Sequence, residues 1–168
     1  MLGRETLAAA LLAVLAAPAA WATEIEVSFS EAFQEKLEED YGTREGDYLR
    51  EDVTEDLERA LGKRGVEAAR IAVVIEDAKP NRPTFKQLGD QPGLDAIRSI
   101  SIGGAAFKGT AFDAAGETLA DVSYDWYERD IRQVRGSATW QDANRASRRF
   151  ASKMAEALET PSDDPAGS

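Results

Sequence analysis

After Glu76, five more polar side chains crowd the decapeptide IEDAKPNRPT, residues 75–84: Asp77, Lys79, Asn81, Arg82 and Thr84. They follow an apolar, β-branched run that reads as a buried strand. In open α/β sheets, ligands bind beyond the carboxyl ends of strands. Lys79 and Arg82 can hold an anionic group there, Asp77 adds a carboxylate, and Pro80 and Pro83 stiffen the chain. The commoner use of such residues is a rigid connector whose Asn and Asp satisfy their own backbone. The stretch therefore reads as a strand end first and a site second. Tyr127 is the other candidate, because alternation along residues 118–129 sets Val122, Tyr124 and Trp126 on one face and Tyr127 on the opposite one. The candidate ligand- or partner-binding residues are Asp77, Lys79, Asn81, Arg82 and Tyr127.

Other constellations carry less. Asp121 and Asp125 share a strand face, but i,i+4 on a strand is ~13 Å, too far for a paired-carboxylate mechanism. Asp113–Glu117 lacks the alternating oxygen ligands of a calcium loop, and Gly103-Gly104 lacks the Lys-Ser/Thr of a phosphate loop. The chain has no His and no Cys. That excludes Ser-His-Asp and Cys-His chemistry and the usual zinc sites, leaving carboxylate pairs, Ser-Lys pairs or oxygen-ligated metals. No catalytic residue, metal ligand or cofactor is expected. The formal charge of −11 disfavours nucleic acid as a partner and also anionic membrane surfaces.

The elements that position these residues follow from periodicity. Residues 24–29 alternate as a strand. Ser30 caps a short helix to Tyr41, and a second helix runs from Asp47 to a stop at Gly62. Arg70–Ile75 is a central strand. Residues 78–95 are irregular, because three prolines and two glycines interrupt them. Residues 96–112 form a strand with a bulge at Gly103-Gly104, paired through the 113–117 turn with the strand 118–129. A last helix begins at Thr139 and carries Trp140, Ala143, Phe150 and Met154 inward. Its bases Arg145, Arg148, Arg149 and Lys153 are expected to pair with the acidic first helix. The helix that Trp140 starts is expected to pack on the Val122 face. The order β-α-α-β-β-β-α predicts an α+β two-layer sandwich, a mostly antiparallel sheet of about four strands covered by amphipathic helices.

The ends predict a compartment. Leu7–Ala17 is uncharged and apolar, Pro18 breaks it, and Ala20-Trp21-Ala22 is a small-x-small cleavage pattern. Residues 1–22 read as a signal peptide, 23–159 as one α+β domain, and 160–168 as a disordered acidic tail. A periplasmic or secreted protein with no transmembrane segment after cleavage follows. The stretches IEDAKPNRPTFKQLGDQPGL, SISIGGAAFKG, YDWYERDI and TWQDANRASRRF resemble a group of uncharacterised secreted proteobacterial proteins without an assigned activity. More loosely, the element order is similar to small periplasmic accessory domains of envelope assembly and transport. Many of those are lipoproteins, whereas this chain has no Cys to carry a lipid. The best reading of the chain is a non-enzymatic binding or accessory module whose partner is an envelope protein or a small ligand, and the resemblance carries no residue over to it. The alternative is a small hydrolase or anionic-ligand carrier using Asp77, Lys79 and Arg82.

Overall fold

The computed structural model describes residues 22–134 and 138–159. The leader, apart from Ala22, and the tail lie outside them. The fold is α+β: a four-stranded sheet in the order β1-β2-β3-β4. β1 (Glu24–Phe29) pairs parallel with β2 (Arg70–Lys79), and β3 (Gly104–Phe112) and β4 (Thr118–Tyr127) follow antiparallel. A parallel pair needs a long crossover. Here it is helical: α1 (Glu31–Lys36), a π-helical turn (Leu37–Tyr41) and α2 (Thr43–Arg64). After β2 comes a short helix, α3 (Phe85–Asp90). A 3-10 turn (Ile131–Val134) and α4 (Gln141–Glu159) close the described chain.

One face of the sheet is the core. Ile71, Val73 and Ile75 of β2 and Phe107 and Ala111 of β3 are at most 2% exposed. They meet Val53 and Leu57 of α2 and Phe150 and Met154 of α4, which are equally buried. The Phe107 and Phe150 rings stack at 5.2 Å. Gly109 makes this approach possible, since a Cβ there would lie 2.6 Å from Phe150 Cζ. The other face is polar and carries its own ion pairs, Arg70–Glu26 at 3.0 Å and Lys108–Glu76 at 2.5 Å.

Several boundaries differ from expectation, each for a local reason. α2 starts at Thr43 rather than Asp47, and Gly46 lies inside it, where a Cβ would come within 3.1 Å of Leu37 and Phe29. It ends at Gly65, not Gly62, because Gly65 takes the left-handed conformation (φ 65°) and donates its N–H to Leu61 O. α3 arises inside the segment read as irregular. Thr84 and Gln87 form a reciprocal capping box, which outweighs the flanking prolines. β3 starts at Gly104, not Ala96. Asp95 Oδ1 accepts the N–H groups of Ile97 (2.8 Å) and Arg98 (2.7 Å), closing a local turn that competes with strand pairing. The Gly pair is not a bulge either: Gly104 enters the strand where a Cβ would lie 2.3 Å from Trp126 O. The register shifts fall instead between Ile75 and Asp77 in β2 and between Ala111 and Phe112 in β3.

Candidate functional site

The bulge in β2 turns Asp77 onto the polar face of the sheet, opposite Ala106. Its carboxylate accepts a hydrogen bond from Tyr127 OH at 2.8 Å and another from Lys36 Nζ at 2.7 Å. Asp77 and Tyr127 are thus brought together, and Lys36 at the end of α1 completes a clamp across three elements. Burial, then the bond to Asp77, raises the Tyr127 pKa, so the hydroxyl stays protonated. The hydrogen bond to Asp77 raises the Lys36 pKa, so the ammonium stays charged. Burial likewise raises Tyr41. This clamp holds its protons and has no general base among the groups that shift.

Asn81 is fully buried. Its Nδ2 donates to Asp142 Oδ2 (2.5 Å) and Ser101 O (3.2 Å), and its Oδ1 accepts the Asp142 N–H (2.9 Å). Its backbone N–H donates to Thr139 O at 2.6 Å, and its carbonyl accepts the Ser101 N–H at 2.9 Å. One side chain thereby ties the 80–84 turn to the start of α4 and to the entry of β3. Gly103 belongs to the same knot, because a Cβ there would sit 2.8 Å from the Asn81 amide. Arg82 donates to Ala96 O at 3.3 Å and also to Ile97 O, fastening the 95–99 turn beside α3. Lys79 is exposed.

Two depressions flank this turn and share Tyr41, Arg82 and Pro83. The smaller, about 220 Å³, takes Lys79, Gln87 and Ser99 as further walls. The larger is an open cleft of about 650 Å³, walled by Arg44, Tyr48, Phe85, Lys86 and Trp140. Trp140 is its buried base: it meets Tyr41 edge-on at 5.6 Å and donates Nε1–H to Glu45 at 2.6 Å. Phe85 stands at the rim 86% exposed, and Ile97 nearby is 79% exposed. A volume of this order is usual for binding sites.

Sequence reasoning found Lys79 and Arg82 on the smaller depression but missed the aromatic cleft. As expected, α4 packs on the Val122 face of β4, and Trp140 at its start meets Tyr41. The bases of α4 do not pair with α1. The guanidinium groups of Arg145 and Arg149 lie over the Trp126 ring at 5.3 and 4.6 Å, and Lys153 lies 5.5 Å from the Tyr124 ring. Arg145 also reaches Glu128 at 3.6 Å and Asp142 at 3.4 Å. The available signal for the cleft was the Thr84–Gln87 capping box, which sets Phe85 at the first position of a six-residue helix. No protein-family model matches the chain, and no curated protein matches it.

Proposed function

We propose that the protein is a non-enzymatic binding or accessory module of the cell envelope, exported to the periplasm by its N-terminal leader. It engages its partner at the 650 Å³ cleft beside α3. The observation that carries this reading is Phe85, 86% exposed on the rim of an aromatic-walled cleft that also presents Arg44 and Lys86. An exposed ring beside an aromatic wall, rimmed by charged side chains, is the kind of apolar patch at which partners bind. The one carboxyl pushed up toward neutrality among the described residues, Asp52, is not among the residues lining either depression. That favours holding over acid–base chemistry. The leader pattern supports export, and no helix among the described residues is long and apolar enough to cross a membrane.

A second reading, an anionic-ligand carrier, rests on Lys79 and Arg82 converging on the smaller depression. Hydrolysis there has less support, since Asp77 is engaged by Lys36 and Tyr127.

The test is a photo-crosslinking residue at position 85, with position 121 on the polar sheet face as control, followed by capture from periplasmic extract. The expected result is a discrete adduct at 85 that disappears with Arg44→Glu. Equal labelling at both positions removes the cleft reading. Lys79→Ala separates the alternatives, because it weakens a carrier and leaves the cleft adduct intact. The mass of the exported protein checks the leader, with Thr23 expected first.

A further inference from the structure

Among the described strands β4 is an edge of the sheet and pairs with β3 alone. That pairing fixes which of its backbone groups are left over. Glu128 donates its N–H to Gly103 O at 2.9 Å, and the register runs unbroken from Gly104 opposite Tyr127 to Ala111 opposite Ala120. In an antiparallel pair the bonds to the neighbour fall on every second residue. Trp126, Tyr124, Val122 and Ala120 therefore bond to β3, whereas Tyr127, Asp125, Ser123 and Asp121 point their N–H and C=O groups out of the sheet. Proteins often blunt such a row with proline or a bulge. This stretch of β4 has neither. On the α4 side the edge is roofed by bases. Arg149 lies over the Trp126 ring at 4.6 Å and Lys153 over the Tyr124 ring at 5.5 Å, and both bases are exposed. Arg145 in the same row is engaged by Glu128 and Asp142. Among the described residues, no carboxylate lies within ion-pair distance of Arg149 or Lys153, in a chain of net charge −11.

We propose that β4 takes up an added strand: an extended acidic segment of another protein pairs with the outward row, and two of its carboxylates, two residues apart, meet Arg149 and Lys153. The spacing sets the motif. Trp126 and Tyr124 are next neighbours on one strand face, ~7 Å apart. Cations over them match acidic residues at i and i+2 of a strand laid alongside, through charge-assisted hydrogen bonds. Val122 continues that face beyond Tyr124, which suits an apolar residue at the next alternate position. The intervening residues of the added strand fall on the polar face beside Asp121 and Asp125, where Thr or Lys fits and an acid does not. Charge argues against a second copy of this chain as the occupant. Two β4 strands paired antiparallel about Ser123 set Asp121 opposite Asp125 twice, and bring the bases of one α4 beside those of the other. None of these residues lines the cleft beside α3, so the inference stands without that reading.

The test titrates the exported protein with a capped nonapeptide, Thr-Val-Thr-Glu-Thr-Glu-Thr-Val-Thr, which reads the same in both directions and so suits either strand orientation. In hydrogen exchange read by NMR, the amides of Asp121, Ser123 and Asp125 are expected to gain protection on binding. Those of Val122 and Tyr124, already bonded to β3, should change little. A peptide with Gln in place of both Glu residues, and the double variant Arg149→Glu, Lys153→Glu, should each weaken binding by about tenfold or more. Ser123→Pro should abolish binding without altering the circular dichroism spectrum, because proline is tolerated where the N–H faces out of an edge strand. Should that variant fail to fold, the double variant at two exposed positions carries the comparison. Phe85→Ala should bind the peptide as wild type does, which separates this edge from the cleft. No binding at millimolar peptide, unchanged protection at residues 121–125, or equal affinity for the Glu and Gln peptides would overturn the proposal. So would a dimer in sedimentation that Ser123→Pro dissociates, since the edge would then belong to a second copy.

Discussion

At the scale of the residue, Asn81 and Tyr127 have different duties although sequence reasoning grouped them. Asn81 satisfies groups from two other segments inside the protein. Asn81→Ala leaves buried acceptors and donors unpaired and is expected to cost about 3 kcal/mol in urea unfolding. Tyr127→Phe removes one half-exposed bond to Asp77 and should cost about 1 kcal/mol. Its clearer signature is at alkaline pH. With the folded pKa raised, the contribution of Tyr127 is present below the ordinary value of 10.0 and lost as pH climbs through the raised one. In a spectrophotometric titration, wild type should show a late-ionising tyrosine that Tyr127→Phe lacks. Phe85→Ala belongs here too. Its ring touches little, so stability should change by no more than about 0.5 kcal/mol while capture of the partner from periplasmic extract is lost.

At the scale of the element, α2 and α4 grip the sheet through small residues set where helices come close. Gly109 sits under Phe150 and Met154, and a Cβ would approach them to 2.6 and 2.9 Å. Gly109→Val should therefore overpack this layer, costing about 1–3 kcal/mol by chemical denaturation. Strand and helix identities were legible wherever a period ran unbroken: alternation in β1 and β4, β-branched residues in β2, and the apolar stripe of α4. Legibility failed where short-range polar bonds competed. The Asp95 turn withdrew residues 96–103 from β3, and the Thr84 box built α3 between prolines. Both devices consist of side chain to backbone bonds within four residues. They were present in the sequence as Asp and as Thr-x-x-Gln, yet hydrophobic periodicity is blind to them.

At the scale of the whole molecule, a one-sided sheet leaves its polar face to water and gathers the connections from β2 and into α2 and α4 at one end. That end is where Tyr41, Phe85 and Trp140 meet, from positions up to 99 residues apart in the chain. The sequence by itself determined the α+β class, the inward stripes, the antiparallel hairpin of β3 and β4, and the absence of imidazole and thiol chemistry, because each follows from local periodicity or composition. Tertiary structure decided the rest. Asn81 became an internal tie, Asp77 and Tyr127 became a clamp, Trp140 turned toward Tyr41, and Asp56 was buried on α2. Each of these depends on which distant segment packs alongside, and on whether water is left there to satisfy the polar atoms.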